Sequence, residues 1–205
     1  MLIDLNYFEN KSLKYDVCII GSGIAGSIIS RELLEKNKFL KVCILESGNF
    51  IENSKLNFKN ISCKELKIEK QSREFMIGGT SNTWGGVSTH YTKKEFYSLK
   101  NSKIKWPIEY KDLVKYWRLA SEKYTFFNTY DYKDNNNFFN SFDKRYFFAN
   151  QPPLNFKEFI DTQNHDLIFN AIATSLNQSK KRIENVVASS SNKKKVEIYA
   201  DNFIL

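Results

Sequence analysis

Tyr15–Leu45 reads YDVCIIGSGIAGSIISRELLEKNKFLKVCIL, and its hydrophobic period changes partway along. Val17–Ile20 is a continuous apolar run, as a strand buried on both faces requires. Beyond the glycines, Ile24, Ile28 and Leu34 recur at helical spacing, and the pattern continues through Lys36. A second apolar run, Val42–Leu45, ends at Glu46. The stretch predicts strand, tight turn, helix and strand, one βαβ unit.

The turn carries Gly21, Gly23 and Gly26 in the pattern G-x-G-x-x-G, with Ser22, Ile24 and Ala25 between them. Gly21 permits the sharp turn out of the strand. Gly23 lets a pyrophosphate approach the backbone, and Gly26 lets the helix pack closely on the strand. The unpaired N–H groups and positive end of a helix starting near Ile24 would then hold the diphosphate. Glu46 lies 20 residues beyond Gly26, where its carboxylate can accept hydrogen bonds from a ribose diol and repel a 2′-phosphate. A lone glycine triplet can mark an ordinary tight turn. With a strand before, a helix after and an acid at this distance, it reads as a dinucleotide cradle.

NAD and FAD share this fingerprint. A second small-residue stretch, Met76–Gly86, reads MIGGTSNTWGG and is built for backbone shape and close approach. A nicotinamide enzyme has no general need for such a loop so soon, whereas the long ring system of a flavin must be covered along its length. YDVCIIGSGIAG, LESG at Leu45–Gly48 and REFMIGGTSNTWGG at Arg73–Gly86 together resemble the N-terminal half of a glucose-methanol-choline type FAD-dependent oxidoreductase. Trp106–Ala120, WPIEYKDLVKYWRLA, resembles the stretch that follows in bacterial members. The resemblance runs from about Tyr15 to Leu205 and is weakest between Asn128 and Asn164.

The resemblance implies that Gly78, Gly79, Thr80, Ser81 and Asn82 form the flavin-cradling loop. It also sets Ser47 beside Glu46 at the cofactor and the backbone from Ala171 to Ala173 near the adenine. In the pyranose-oxidase-like version of the loop a histidine bonded to the flavin occupies the position of Thr83. Threonine cannot make that bond, so the FAD is expected to be non-covalent. Many alcohol oxidases of the family carry asparagine where this chain has Trp84, so their substrate contacts do not transfer. His90 could serve as a base or flavin link, but no partner fixes it there, and it reads as a packing or solvent-facing histidine.

The chain has 205 residues, 41% hydrophobic and 15% aromatic, enough for one substantial domain and part of a second. Its formal charge of +8 comes from scattered lysines. The short runs Lys180-Lys181-Arg182 and Lys193-Lys194-Lys195 fall where turns are expected and lack the interleaved aromatics of a nucleic-acid binder. Cys18, Cys43 and Cys63 have no zinc-site spacing, so no metal is expected, and an odd count argues against a disulfide scaffold. Cys18 and Cys43 sit in strand patterns and read as packing residues. The acidic N-terminal stretch is no secretory signal, and no apolar run reaches the roughly 18 residues of a membrane span. A soluble, cytoplasmic setting is expected.

Tyr110 onward predicts a helix with Leu113, Tyr116, Trp117, Ala120 and Tyr124 on one core-facing stripe. Phe126–Phe156, rich in asparagine and aromatics, reads as an irregular insertion whose rings could stack on a sugar or pack inside the protein. Leu167–Leu176 predicts strand, Val186–Ser189 with Lys195–Tyr199 a hairpin, and Asp201–Leu205 a further strand. The expected class is α/β: a three-layer FAD/NAD(P)-binding Rossmann-like domain with the start of a substrate (cap) domain. Residues 1–90 and 165–205 would form an incomplete FAD-binding domain, and 91–164 the insertion. The family's catalytic histidine would lie beyond Leu205, so no catalytic residue is assigned and the chain reads as an N-terminal fragment or truncated product. Three functions compete: oxidation of a CH–OH group of an alcohol or sugar, a non-catalytic FAD-binding remnant or subunit completed by another chain, and an NAD-dependent dehydrogenase.

Overall fold

The computed structural model describes residues 1–51, 74–89, 91, 93, 96, 106–124, 148–149, 153–160 and 165–205. Cys63, His90 and most of the aromatic insertion lie outside the described residues. By its internal contacts the chain divides into two compact units, Met1–Thr83 with Asn155–Leu205, and Trp84–Leu154.

In the first unit the strands are β1 (Leu2–Asp4), β2 (Ser12–Ile20), β3 (Val42–Leu45), and, after the second unit, β6 (Asp166–Phe169), β7 (Ile172–Ser179), β8 (Arg182–Ser189) and β9 (Lys195–Ile204). Helix α1 (Ile24–Lys36) joins β2 to its parallel neighbour β3. The sheet order is β1-β6-β3-β2-β9-β8-β7. The first five strands are mutually parallel, and β9, β8 and β7 form an antiparallel meander.

This order forces the sheet to coil. In a flat sheet β6 and β7 would lie five strand spacings apart, about 24 Å. Only Asn170 and Ala171 separate them in the chain, a reach of about 10 Å. The meander must therefore fold back over one face of the parallel strands. Burial agrees: Cys18, Cys43, Leu45 and Ile168 share one cluster with Val186, Ala188, Val196, Ile198 and Ala200. Their alternates Val17, Ile19, Val42, Ile44 and Leu167 share another with Leu34 of α1. Period-two alternation thus sends successive side chains of β2 and β3 into two different cores.

Three expectations change. The run Leu167–Leu176 breaks at Asn170, which holds φ 54°, a left-handed corner that asparagine tolerates better than most residues. Its side-chain amide donates to Asp4 at 2.9 Å and fixes the corner. Asp201–Leu205 is no separate strand: β9 runs unbroken from Lys195 to Ile204 because it pairs on both sides, with β8 early and with β2 along most of its length. Helix α1 turns Gly26, Ser27, Ser30 and Leu34 inward, whereas Ile24 and Ile28 are only half-buried. Small residues let the helix approach, and the Ser27 hydroxyl is satisfied by donating to the Ser22 carbonyl at 2.8 Å.

The N-terminal residues supply β1, three residues too short to carry a hydrophobic period. The edge strand lies parallel to β6, and the terminal ammonium reaches the Asp166 carboxylate at 2.9 Å. Tyr15 donates to the same carboxylate at 2.7 Å. Burial first, and this hydrogen bond second, push the Tyr15 phenol well above its usual pKa. Cys43, register partner of Cys18, is also raised, chiefly by burial.

In the second unit, strands β4 (Val87–Ser88) and β5 (Phe148–Ala149) pair antiparallel. Helix α2 (Tyr110–Lys123) begins with the Glu109 N–H donating to the Asp112 carboxylate at 3.2 Å. Of the expected stripe Tyr124 is buried and Leu113, Trp117 and Ala120 half-buried, but Tyr116 is exposed. Tyr110 packs edge-on against both Trp117 and Phe96, and Phe96 stacks on Trp106.

Candidate functional site

The site is built at the C-terminal ends of β2 and β3. There β2 leaves the sheet through Gly21, whose φ of +100° only glycine adopts easily, with its N–H donating to the Leu45 carbonyl at 2.8 Å. Gly23 caps α1 with no side-chain hydrogen bond, and no acidic residue stands in the first turn. Glycine in place of a side-chain cap costs only about 0.3 kcal/mol, far less than burial of Leu34 returns. It leaves the first helical N–H groups without an intrahelical acceptor, the arrangement that receives an anion.

The three glycines have different surroundings. A Cβ on Gly26 would run into the Gly21 carbonyl, so this position sets how closely helix and strand pack. A Cβ on Gly21 or Gly23 would meet nothing within 4 Å. The backbone at Gly23 therefore faces open space that a phosphate could fill. Ile24 and Ala25 stand half-buried and exposed at the start of the helix.

Glu46 is 5% exposed at the end of β3, and its carboxylate accepts four hydrogen bonds. Ser22 gives two to Oε2, from its backbone N–H at 2.9 Å and its hydroxyl at 2.6 Å. The Ser47 hydroxyl at 3.1 Å and the Gly48 N–H at 2.8 Å give two to Oε1. Such a set uses about all the acceptor positions of a carboxylate. A ribose hydroxyl reaching Glu46 must displace one donor, and the half-buried Ser47 hydroxyl is the one free to rotate away.

The second glycine-rich loop reaches the same edge because Met76 bridges to Asn49 in parallel, with the Ile77 N–H donating to the Asn49 carbonyl at 2.9 Å. Gly48 makes this crossing possible, since a Cβ there would collide with the Phe75 backbone. Gly78 (φ +88°) and Gly79 (φ +55°) then turn the chain into a short 3-10 helix, Gly79–Asn82. A Cβ on Gly79 would lie 3.2 Å from the Gly23 Cα, so the two loops meet backbone to backbone.

The side chains of Ser81 and Asn82 support the loop itself. The Ser81 hydroxyl donates to the Gly78 carbonyl at 2.7 Å and accepts from the Phe156 N–H at 2.9 Å. The Asn82 amide donates to the Ile77 and Gly79 carbonyls, and its oxygen accepts from Asn155 at 2.9 Å. Thr80 and Thr83 are the exposed hydroxyls of the segment. In the second unit the Trp84 indole donates to the Leu154 carbonyl at 2.8 Å.

Across the sheet corner, the Ala171 N–H donates to the Glu46 carbonyl at 2.8 Å. Ala173 is half-buried on β7 opposite Ala188 and packs on the core beneath the meander. The sequence reading missed Gly48 as a structural requirement and Asn155 and Phe156 as supports of the second loop. Gly48 had a signal in its place after the acid that ends β3. The other two had none, because they lie more than 70 residues along the chain.

Among the described residues, no three of His, Cys, Asp and Glu come together as metal ligands, and no helix is long and apolar enough to cross a membrane. Comparison of the sequence with family models and with curated proteins returns no match. Solved structures do match in fold. A formate oxidase superposes with a TM-score of 0.58 at 14% identity, covering 94% of this chain and 45% of its own. A variant of the Aspergillus oryzae formate oxidase, solved for its effect on FAD modification, gives 0.58 at 14% identity, with 95% and 45% covered. Pyridoxine 4-oxidase from Mesorbium loti gives 0.51 at 12% identity, with 92% and 48% covered. The chain spans about half the length of these oxidases and shares their α/β fold over nearly all of its own.

Proposed function

We propose that this chain is the cofactor-binding portion of an FAD-dependent oxidoreductase of the glucose-methanol-choline type, acting on a CH–OH group of a small alcohol or sugar. The observation that carries the reading is the backbone contact between Gly23 and Gly79. It sets two glycine-rich loops and the Glu46 carboxylate around one open stretch of backbone at the end of the parallel strands. Bound FAD would supply the acceptor for a hydride taken from the substrate.

The chain's own residues bind and orient that group. The N–H groups of Gly23–Gly26 receive the pyrophosphate, and Gly23 allows contact with the main chain. Glu46 takes the ribose, with Ser22 and Ser47 as its flanking donors. The backbone from Gly78 to Asn82 covers the flavin end, while Ser81 and Asn82 hold that backbone in shape. Thr83 offers no nucleophile for a flavin link, so the FAD is held non-covalently. Ala173 lies toward the adenine. No residue of this chain is assigned as the catalytic base. A cytoplasmic location and a small-molecule substrate accompany this reading.

A second reading rests on the same two loops and Glu46, which could hold a cofactor without supplying a base: a FAD-binding remnant or subunit without catalysis of its own. Purified chain with and without added FAD separates the readings by its visible spectrum. Yellow protein bleached by an alcohol or sugar supports the enzyme. Yellow protein that no such substrate bleaches supports the remnant, and a preference for NAD with no flavin retained sinks both.

A further inference from the structure

We infer that the Ser22 hydroxyl is a positioning residue that couples the ribose-binding carboxylate to the flavin-covering loop. The inference rests on the FAD reading above for what the two ends bind. The coupling itself follows from three contacts. Ser22 is fully buried. Its hydroxyl gives its one proton to Glu46 Oε2 at 2.6 Å, a short charge-assisted bond. The same oxygen accepts the Gly78 N–H at 3.2 Å.

The bonds run in one direction, from the Gly78 N–H to the Ser22 oxygen and from the Ser22 hydroxyl to the carboxylate. A hydroxyl that donates to a charge becomes a better acceptor, so each bond strengthens the other. The pattern G-x-G-x-x-G sets no requirement on its second residue. Alanine or glycine there would leave the Gly78 N–H buried without this acceptor and Glu46 without one donor. Gly78 is the residue whose left-handed backbone launches the second loop, and its neighbour Gly79 rests on Gly23. Whatever ligand moves Glu46 is therefore felt where the second loop begins.

The test compares wild-type chain with Ser22→Ala in two measurements: titration with FAD and with ADP, and amide hydrogen exchange over residues 74–89. ADP can reach Glu46 and the first loop but has no flavin for the second. With the hydroxyl gone, FAD should bind about tenfold more weakly and ADP no more than about threefold, as the loss of one buried hydrogen bond implies. Exchange at residues 77–83 should quicken by about tenfold while Val17–Ile20 stays protected. Equal weakening of both nucleotides with unchanged exchange in the second loop would overturn the coupling, as would no change in either measurement. If the wild-type chain binds neither nucleotide, the FAD reading falls, and the exchange comparison still decides the coupling. Should Ser22→Ala not fold, Ser22→Cys fills the volume with a far weaker hydrogen-bonding group and is read by the same two measurements.

Discussion

The two glycine-rich loops have similar composition and are held in opposite ways. The first, Gly21–Gly26, is held by what flanks it: the Gly21 N–H bonds to Leu45, and the Ser27 N–H closes the first helical turn on Gly23. These backbone partners lie within one βαβ unit, and only the Ser22 hydroxyl reaches beyond it, to the Gly78 N–H. The second, Gly78–Asn82, is held by side chains, through Ser81 to Phe156, Asn82 to Asn155 and Gly78 to Ser22. One loop inherits its shape from neighbouring secondary structure, and the other is assembled from distant segments. A locally held loop can leave its glycines open toward a ligand, whereas a loop tied from afar spends its polar side chains on itself.

The costliest substitution falls where close packing fixes the first loop. Gly26→Ala places a methyl group in the Gly21 carbonyl, backbone against backbone, and should cost about 3 kcal/mol or more in denaturant unfolding. A cost under about 1 kcal/mol would mean that α1 can shift outward at will. Ser81→Ala comes next, because it strands the buried Phe156 N–H and frees the Gly78 carbonyl. It should cost about 2 kcal/mol and speed exchange in the second loop alone. If the first loop loosened equally, the contrast in how the two are held would be broken.

Tyr15 probes the far end of the strand that carries the first loop. Folding raises its pKa, so it contributes stability in full below the unfolded value of about 10 and loses it as pH climbs above that. Tyr15→Phe should cost about 1 kcal/mol near neutral pH and flatten the alkaline decline in stability. Unchanged steepness above pH ~10 would shift the cause to other groups, with the buried Cys43 thiol the first to consider. Gly23→Ala should have the smallest effect on stability, within about 0.5 kcal/mol, because its backbone is extended and its Cβ meets nothing. In FAD titration the same change should weaken binding about tenfold or more. Full retention of affinity would remove the phosphate from Gly23.

Much of this was legible in the sequence where the physics is local. Val17–Ile20, Gly21–Gly26 and Val42–Leu45 announce strand, turn, helix and strand because their hydrophobic period and glycine spacing act over a few residues. Helix α2 was readable from its stripe, although Tyr116 faces outward. The edge strand β1 was not, since three residues carry no period. The corner at Asn170 escaped as well, because Leu167–Leu176 is apolar enough to pass for one strand.

The βαβ unit, the acid at its end and a second loop shaped by glycine are all readable along the chain. Those features depend on contacts a few residues apart, or on backbone angles that a side chain permits or forbids. It takes the folded chain to show that the sheet coils so that the meander covers one face, that Gly48 opens the crossing for the second loop, and that Ser81 and Asn82 brace the loop from within. These outcomes depend on which distant backbone groups need a hydrogen-bond partner once buried, and no spacing along the chain encodes that.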